Sequence, residues 1–233
     1  MQKKEKIWKK SFKIQFFFDF SDIYSMKNKT KTALYLEKAF IASLLAAISL
    51  LVFSCKSLPQ EAEKKELSRQ LLGQGQLSAG QLAGFFLSRN PDADAAHIQS
   101  FAQFYIDEAA AEGINSDVVF AQMCLETGFL RFGGLVQPEF HNYCGLGAMD
   151  ADHPGEIFET EELGVRAHIQ HLQAYATKEE TQLHKELVDP RYNWVHKTKY
   201  IDDIFGLTGT WATDPHYGEK IDNLITAMED FIQ

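Results

Sequence analysis

The stretch from Val118 to Phe129 constrains this chain more than any other. Val118, Ala121 and Leu125, with Val119 and Met123, recur at helical spacing, so the pattern predicts a helix with one broad apolar face. Ser116 is placed to cap its start, and Asp117 in the first turn suits the positive end of the helix dipole. Gly128 supplies the usual left-handed stop. Glu126 therefore falls in the last turn, at the negative end of the dipole and among apolar neighbours. Both surroundings disfavour a charged carboxylate and raise its pKa. An acid that keeps its proton near neutral pH can donate it to a leaving oxygen. On charge and spacing alone, a solvated glutamate in a frayed last turn is the competing account.

The rest of the chain supplies partners for such a helix. Its 233 residues, 45% hydrophobic, suffice for one core plus an appendage. Leu82, Phe85 and Phe86 predict a short helix ending before Asn90-Pro91. A second starts at Asp92 or Asp94, carries Ile98, Phe101, Tyr105 and Ala109, and ends at Gly113. Thr160 caps another, with Leu163, Ala167, Ile169, Leu172 and Ala176 as its stripe. An unfavourable glycine within it, Gly164, signals a close packing contact. The last is expected to open on Asp214 and Pro215 and to bury Ile221, Leu224, Ile225, Met228 and Phe231. Between these helices lie turn formers, notably Arg131 to Gly134 and His141 to Gly147. The expected class is mainly α, with at most a small sheet.

Charge divides the chain unevenly. Residues 1–55 hold 10 Lys and Arg against 4 Asp and Glu, a balance of +6. The remainder holds 13 basic and 28 acidic residues, a balance of −15. So acidic a body argues against nucleic acid as a partner. Ala39 to Phe53 is a continuous apolar run preceded by Lys27, Lys29, Lys31 and Lys38. A spanning helix needs about 20 such residues, so this run reads as a secretory signal. Val52-Phe53-Ser54-Cys55 resembles a bacterial lipoprotein lipobox, which implies Cys55 as a lipid attachment site. An uncleaved signal anchor is the alternative, and Met26 is read as the chain's own start. Residues 56–80, charged and then rich in Gln, Gly and Ser, are expected to form a flexible tether, with a loose helix over Glu61 to Leu72. The expected protein is thus an exported, membrane-anchored lipoprotein, periplasmic or at the cell surface. Its domain would span residues 81–233. Cys124 and Cys144 remain, either bonded in an oxidising compartment or as two buried thiols.

Four stretches then point to a family. Ala121-Gln122-Met123-Cys124-Leu125-Glu126-Thr127-Gly128, followed by Asn142-Tyr143-Cys144-Gly145-Leu146, resembles the catalytic helix and following loop of the bacterial glucosaminidase autolysins, glycoside hydrolase family 73. Gly164 to Tyr175 is similar to a helix of one branch of that family. Asp189-Pro190-Arg191-Tyr192 and Gly209 to Gly218 match its C-terminal part, in the right order. The resemblance implies a lysozyme-like domain with a groove for peptidoglycan glycan strands, cleaved on the reducing side of N-acetylglucosamine. It implies Glu126 as general acid and Tyr217 as a tyrosine beside the cleft. The second catalytic group stays open. Glu161 or Glu162 is one choice, although this branch often has a Glu where Leu163 stands, and the substrate's own acetamido group is the other.

Asn142 is expected to fix the loop or a sugar hydroxyl. Phe129, Tyr143 and Trp211 would stack on sugars or pack in the core. No cofactor or metal is expected: His168 and His171 are three apart, without the acid of a zinc protease pattern, and read as hydrogen-bonding residues of a Gln-rich face. Two alternatives remain. One is a lytic transglycosylase or goose-type lysozyme, which also places a lone Glu before a Thr-Gly or Ser-Gly pair. The other is a wall-binding lipoprotein without activity.

Overall fold

The computed structural model describes residues 35–43, 66–178 and 181–233. The chain divides into two units, residues 1–62 and 63–233. In the first, residues 35–43 form a helix, α1. The lipobox, Cys55 and Met26 lie outside the described residues. Among those described, no helix is long and apolar enough to cross a membrane.

The second unit is mainly α, as expected, and its described residues contain isolated bridges instead of strands. Its helices are α2 (Ala79–Arg89), α3 (Ala95–Glu112), α4 (Ser116–Thr127), α5 (Glu161–Ala176), α6 (Tyr192–Thr198) and α7 (Tyr217–Phe231). Short 3-10 turns occupy Pro138–Phe140 and Ile204–Leu207. Helix α4 is the axis of the fold. Every residue from Ser116 to Cys124 is buried, because α2, α3, α5 and α7 all pack against it. The expected single apolar face is thus a helix covered on all sides.

The helix boundaries show where local chemistry decides. Ser78 and Gln81 form a capping box at α2, and Asp94 accepts from the His97 backbone at α3. Gly113 and Gly128 end their helices in the left-handed conformation. Asn115, not Ser116, caps α4: its side chain accepts from the Asp117 backbone, and its amide donates to the Ser68 and Gln70 carbonyls at 3.2 and 3.1 Å. At α7 the start shifts to Tyr217. Asp214 accepts from the His216 backbone at 2.9 Å in a turn of its own, and so is spent before the helix begins.

The expected tether is the largest correction. From Glu66 onward it is an extended strap built into the domain, and its described part is not helical. Leu67, Leu71 and Leu77 are buried. Arg69 bonds Asp222 at 2.7 Å and also reaches Glu229 on α7. Asp117, itself buried, accepts the Gln76 and Leu77 backbone amides at 2.7 and 3.1 Å. The Gln/Gly composition that reads as flexible serves close approach instead. A Cβ at Gly75 would sit 2.0 Å from the Ser116 hydroxyl.

The loop between α4 and α5 is fastened in the same manner. A Cβ at Gly164 would lie 1.7 Å from the His141 carbonyl oxygen, so only glycine lets this loop lie on α5. The close contact expected of Gly164 is therefore real. At the loop's start, Phe129 and Leu130 continue the left-handed turn of Gly128 (φ 59° and 57°). Such bulky residues cost roughly 1–2 kcal/mol each there. The Thr127 hydroxyl bonds the Leu130 amide at 2.9 Å, and Asn90 donates to the Phe129 carbonyl at 2.9 Å, holding the turn in place.

Candidate active site

Glu126 ends α4 at the wall of a groove and lines a cavity of ≈ 250 Å³ with Phe132, Leu135, Val136 and Tyr143. Its residue surface is exposed because the groove is open, yet its carboxyl lies among protein atoms. Desolvation accordingly pushes its pKa up, against hydrogen bonds from Tyr217 and Trp211 that pull it down, and the net direction is upward. The raised acid expected from the sequence is therefore present. A larger cavity, ≈ 680 Å³, lies between the strap and α3, lined by no titratable side chain among the described residues.

One oxygen of Glu126 does all the bonding. Oε1 accepts from the Tyr217 hydroxyl and, at 3.0 Å, from the Trp211 indole N–H. Oε2 is thereby left as the atom that can carry a proton. The orientation of Tyr217 is itself imposed. Gln122 Nε2 donates to the Tyr217 oxygen at 2.9 Å, so the phenolic hydrogen must point to Glu126. Gln122 Oε1 then accepts from His168 Nε2 at 3.1 Å, which fixes that ring as the Nε2–H tautomer. His168 Nδ1 accepts from the Tyr105 hydroxyl at 3.1 Å. Burial, with His171 nearby, pushes the His168 pKa down to about 3, so the ring stays neutral. Four buried side chains from α3, α5, α4 and α7 thus form one chain of donors directed at the acid.

The other expected site residues divide. Tyr143 lines the cavity and is nearly buried, its ring 4.8 Å from Phe101, edge to face. Asn142 borders the cavity but has no group to spare. Its amide donates to the Leu146 and Glu156 carbonyls at 2.9 and 3.0 Å, and its oxygen accepts from the Leu146 backbone at 2.9 Å. It fixes the loop. Phe129 packs instead with Phe85 and Phe86, at 6.0 and 5.6 Å between ring centroids, as a partly buried residue against the core. Trp211, half-buried, packs on His171 and Tyr175 at 5.0 and 5.3 Å besides bonding Glu126.

Neither Glu161 nor Glu162 lines the cavity of Glu126. Glu161 is bound to His97 at 2.8 Å and to the Tyr143 hydroxyl, and Glu162 bonds Arg166 at 3.3 Å. Arg166 in turn makes a two-pronged contact with buried Glu108 at 2.9 and 3.0 Å, which docks α5 on α3. Cys124 and Cys144 are free and buried. Among the described residues no cluster of His, Cys, Asp and Glu could hold a metal. The polar face of α5 is accounted for internally: His171 bonds Asp189 at 2.8 Å, and Gln170 accepts from the Val188 amide at 2.8 Å.

Sequence reasoning missed Gln122, His168 and Tyr105 as supports of the acid. The available signal was a glutamine one helical turn before Glu126, the one polar residue in the run from Val118 to Leu125.

Comparison with known proteins gives a family and a relative. Residues 102–230 match the family described as Glucosaminidase, mannosyl-glycoprotein endo-beta-N-acetylglucosaminidase. A protein of Borreliella burgdorferi, described as an uncharacterized protein, is 36% identical over 171 residues, which are 73% of this chain and 82% of that one. No solved structure matches the chain.

Proposed function

Because the chain belongs to the mannosyl-glycoprotein endo-beta-N-acetylglucosaminidase family, we propose that it is a peptidoglycan hydrolase cutting the β-1,4 bond on the reducing side of N-acetylglucosamine, with Glu126 as general acid. The observation that carries this reading is the two-donor clamp on Glu126 Oε1 beside an open cavity. The clamp directs the proton of Oε2 to the groove. As the glycosidic bond breaks, Glu126 hands that proton to the leaving oxygen, and the sugar ring becomes oxocarbenium-like. The Tyr217 and Trp211 donors then stabilise the carboxylate that remains.

The charge on the ring needs a second group. Since Glu126 is the only carboxylate among the described residues that line its cavity, the reading favours the substrate's acetamido oxygen as the internal nucleophile, with water opening the cyclic intermediate. The apolar wall of Phe132, Leu135 and Val136 suits the N-acetyl methyl group. Export and a lipid anchor at Cys55 are proposed on the sequence alone, and place this activity at the wall.

The test is to digest purified sacculi, reduce the products and identify the new ends by mass spectrometry. Reduced N-acetylglucosamine ends support the assignment. Anhydro-muramic ends, the mark of a lytic transglycosylase, or reduced muramic acid ends, the mark of a muramidase, overturn it.

A further inference from the structure

A second cavity, ≈ 310 Å³, lies across Trp211 from the acid and shares Gly145 and Ala148 with the first. Its character differs. Among the described residues no cation lines the cavity of Glu126, whereas Arg191 and Lys199 both line the second, beside Tyr175, Trp194 and Trp211. Among the described residues no Asp or Glu lines it. Asp189, which holds the lining residue His171, is buried with both oxygens used: Oδ2 bonds His171 at 2.8 Å, and Oδ1 accepts the Arg191 backbone amide at 2.8 Å. The Arg191 guanidinium and the Lys199 ammonium make no ion pair among the described residues, although acids outnumber bases more than two to one beyond residue 55. Two uncommitted cations in one concave, aromatic-walled place on an acidic domain make a site for an anion.

We propose that this arm is a carboxylate-binding subsite, in which Arg191 and Lys199 take the acidic half of the substrate while the arm of Glu126 takes neutral N-acetylglucosamine. The proposal rests on the glucosaminidase reading and gives it a substrate class. Wall glycan alternates a neutral sugar with one bearing a lactyl carboxylate or, where a peptide stem is attached, the stem's carboxylates. A groove with one uncharged arm and one basic arm matches that alternation. Trp194, 60% exposed, and Trp211 offer apolar faces for the sugar between the charges. The cations also counter the repulsion between an acidic domain and a polyanionic wall.

The test measures binding by calorimetry with the full chain carrying Glu126→Gln, which prevents turnover. Three probes are used: glycan oligomers stripped of stems, the same oligomers methyl-esterified, and oligomers with stems intact. The stripped acid should bind about tenfold more tightly than its ester, as expected for two partly exposed charge pairs of ~0.5–1 kcal/mol each. Adding Arg191→Gln and Lys199→Gln should erase that difference while leaving ester binding within about twofold, which also reports an intact fold. Stem-bearing oligomers binding as tightly as the stripped acid would assign recognition to stem carboxylates as well; binding only as tightly as the ester would assign it to the lactyl group alone. Equal binding of all three probes, absence of binding, or a preference that survives both substitutions overturns the subsite. Hydrolysis of the ester by the unmutated chain separates the two claims. Cleavage without carboxylate preference removes the subsite and leaves the glucosaminidase reading, whereas preference without cleavage does the reverse.

Discussion

The Tyr217 hydroxyl donates to Glu126 Oε1 because Gln122 occupies the Tyr217 oxygen from the other side. A tyrosine free to rotate could turn its hydrogen elsewhere, and this one is held. Tyr217→Phe should therefore lower kcat/KM by about 10- to 100-fold, the value of a hydrogen bond to a charged group. It should also move the basic limb of the pH profile upward, since the lost bond had lowered the Glu126 pKa. Gln122→Leu, which frees the hydroxyl without removing it, should show a smaller loss. A limb that stays in place in Tyr217→Phe would mean the bond does not act on the acid.

The pH dependence follows from the raised pKa of Glu126. A general acid must be protonated, so kcat/KM should fall as pH rises through that pKa, above the range of an ordinary carboxylate. Stability carries the same sign. A carboxyl whose pKa is higher folded than unfolded contributes stability below its unfolded pKa and loses it as pH rises through the folded one. Glu126→Gln removes that loss. Urea unfolding should show the variant gaining on the parent chain across this window and levelling off above it.

Glu161 and Glu162 should prove dispensable for chemistry. Neither lines the cavity of Glu126: Glu161 is held by His97 and by the hydroxyl of the wall residue Tyr143, and Glu162 by Arg166. Glu161→Gln and Glu162→Gln are expected to keep kcat within about fivefold of the parent, against a loss of about 100-fold or more for a general acid or base. A loss of that larger size in either variant would restore a second carboxylate to the mechanism.

The strap makes a prediction about domain limits. A chain starting at Ser78 leaves out Leu67, Leu71 and Leu77, each worth roughly 1.5–3 kcal/mol when buried, and the Arg69 links to α7. Such a chain should unfold at much lower urea concentration than one starting at Glu66, or fail to fold. Equal midpoints would restore the strap to the tether.

Much of this fold was legible because its helices carry strong local marks. Gly113, Gly128 and Thr160 end or start helices where their conformational and capping preferences say they should. Gly164 announced its close contact by being costly where it stands. The strap was not legible, because its flexible composition is outweighed by partners more than forty residues away, among them Asp117 and Asp222. Glu126 could be singled out from its helix and from the family resemblance. Its supports could not: Gln122 and His168 lie 46 residues apart, and only the packing of α4 on α5 brings them together. For Phe129 the sequence left two roles open, stacking on a sugar or packing in the core, and the left-handed turn after Gly128 brings its ring against Phe85 and Phe86.

The most direct test of the account compares the parent chain with Glu126→Gln on purified sacculi, counting reducing ends released per enzyme, with circular dichroism recorded on both. The expected result is a loss of at least about 100-fold with unchanged spectra and melting. Release of ends by Glu126→Gln at the parental rate would contradict the account at its centre.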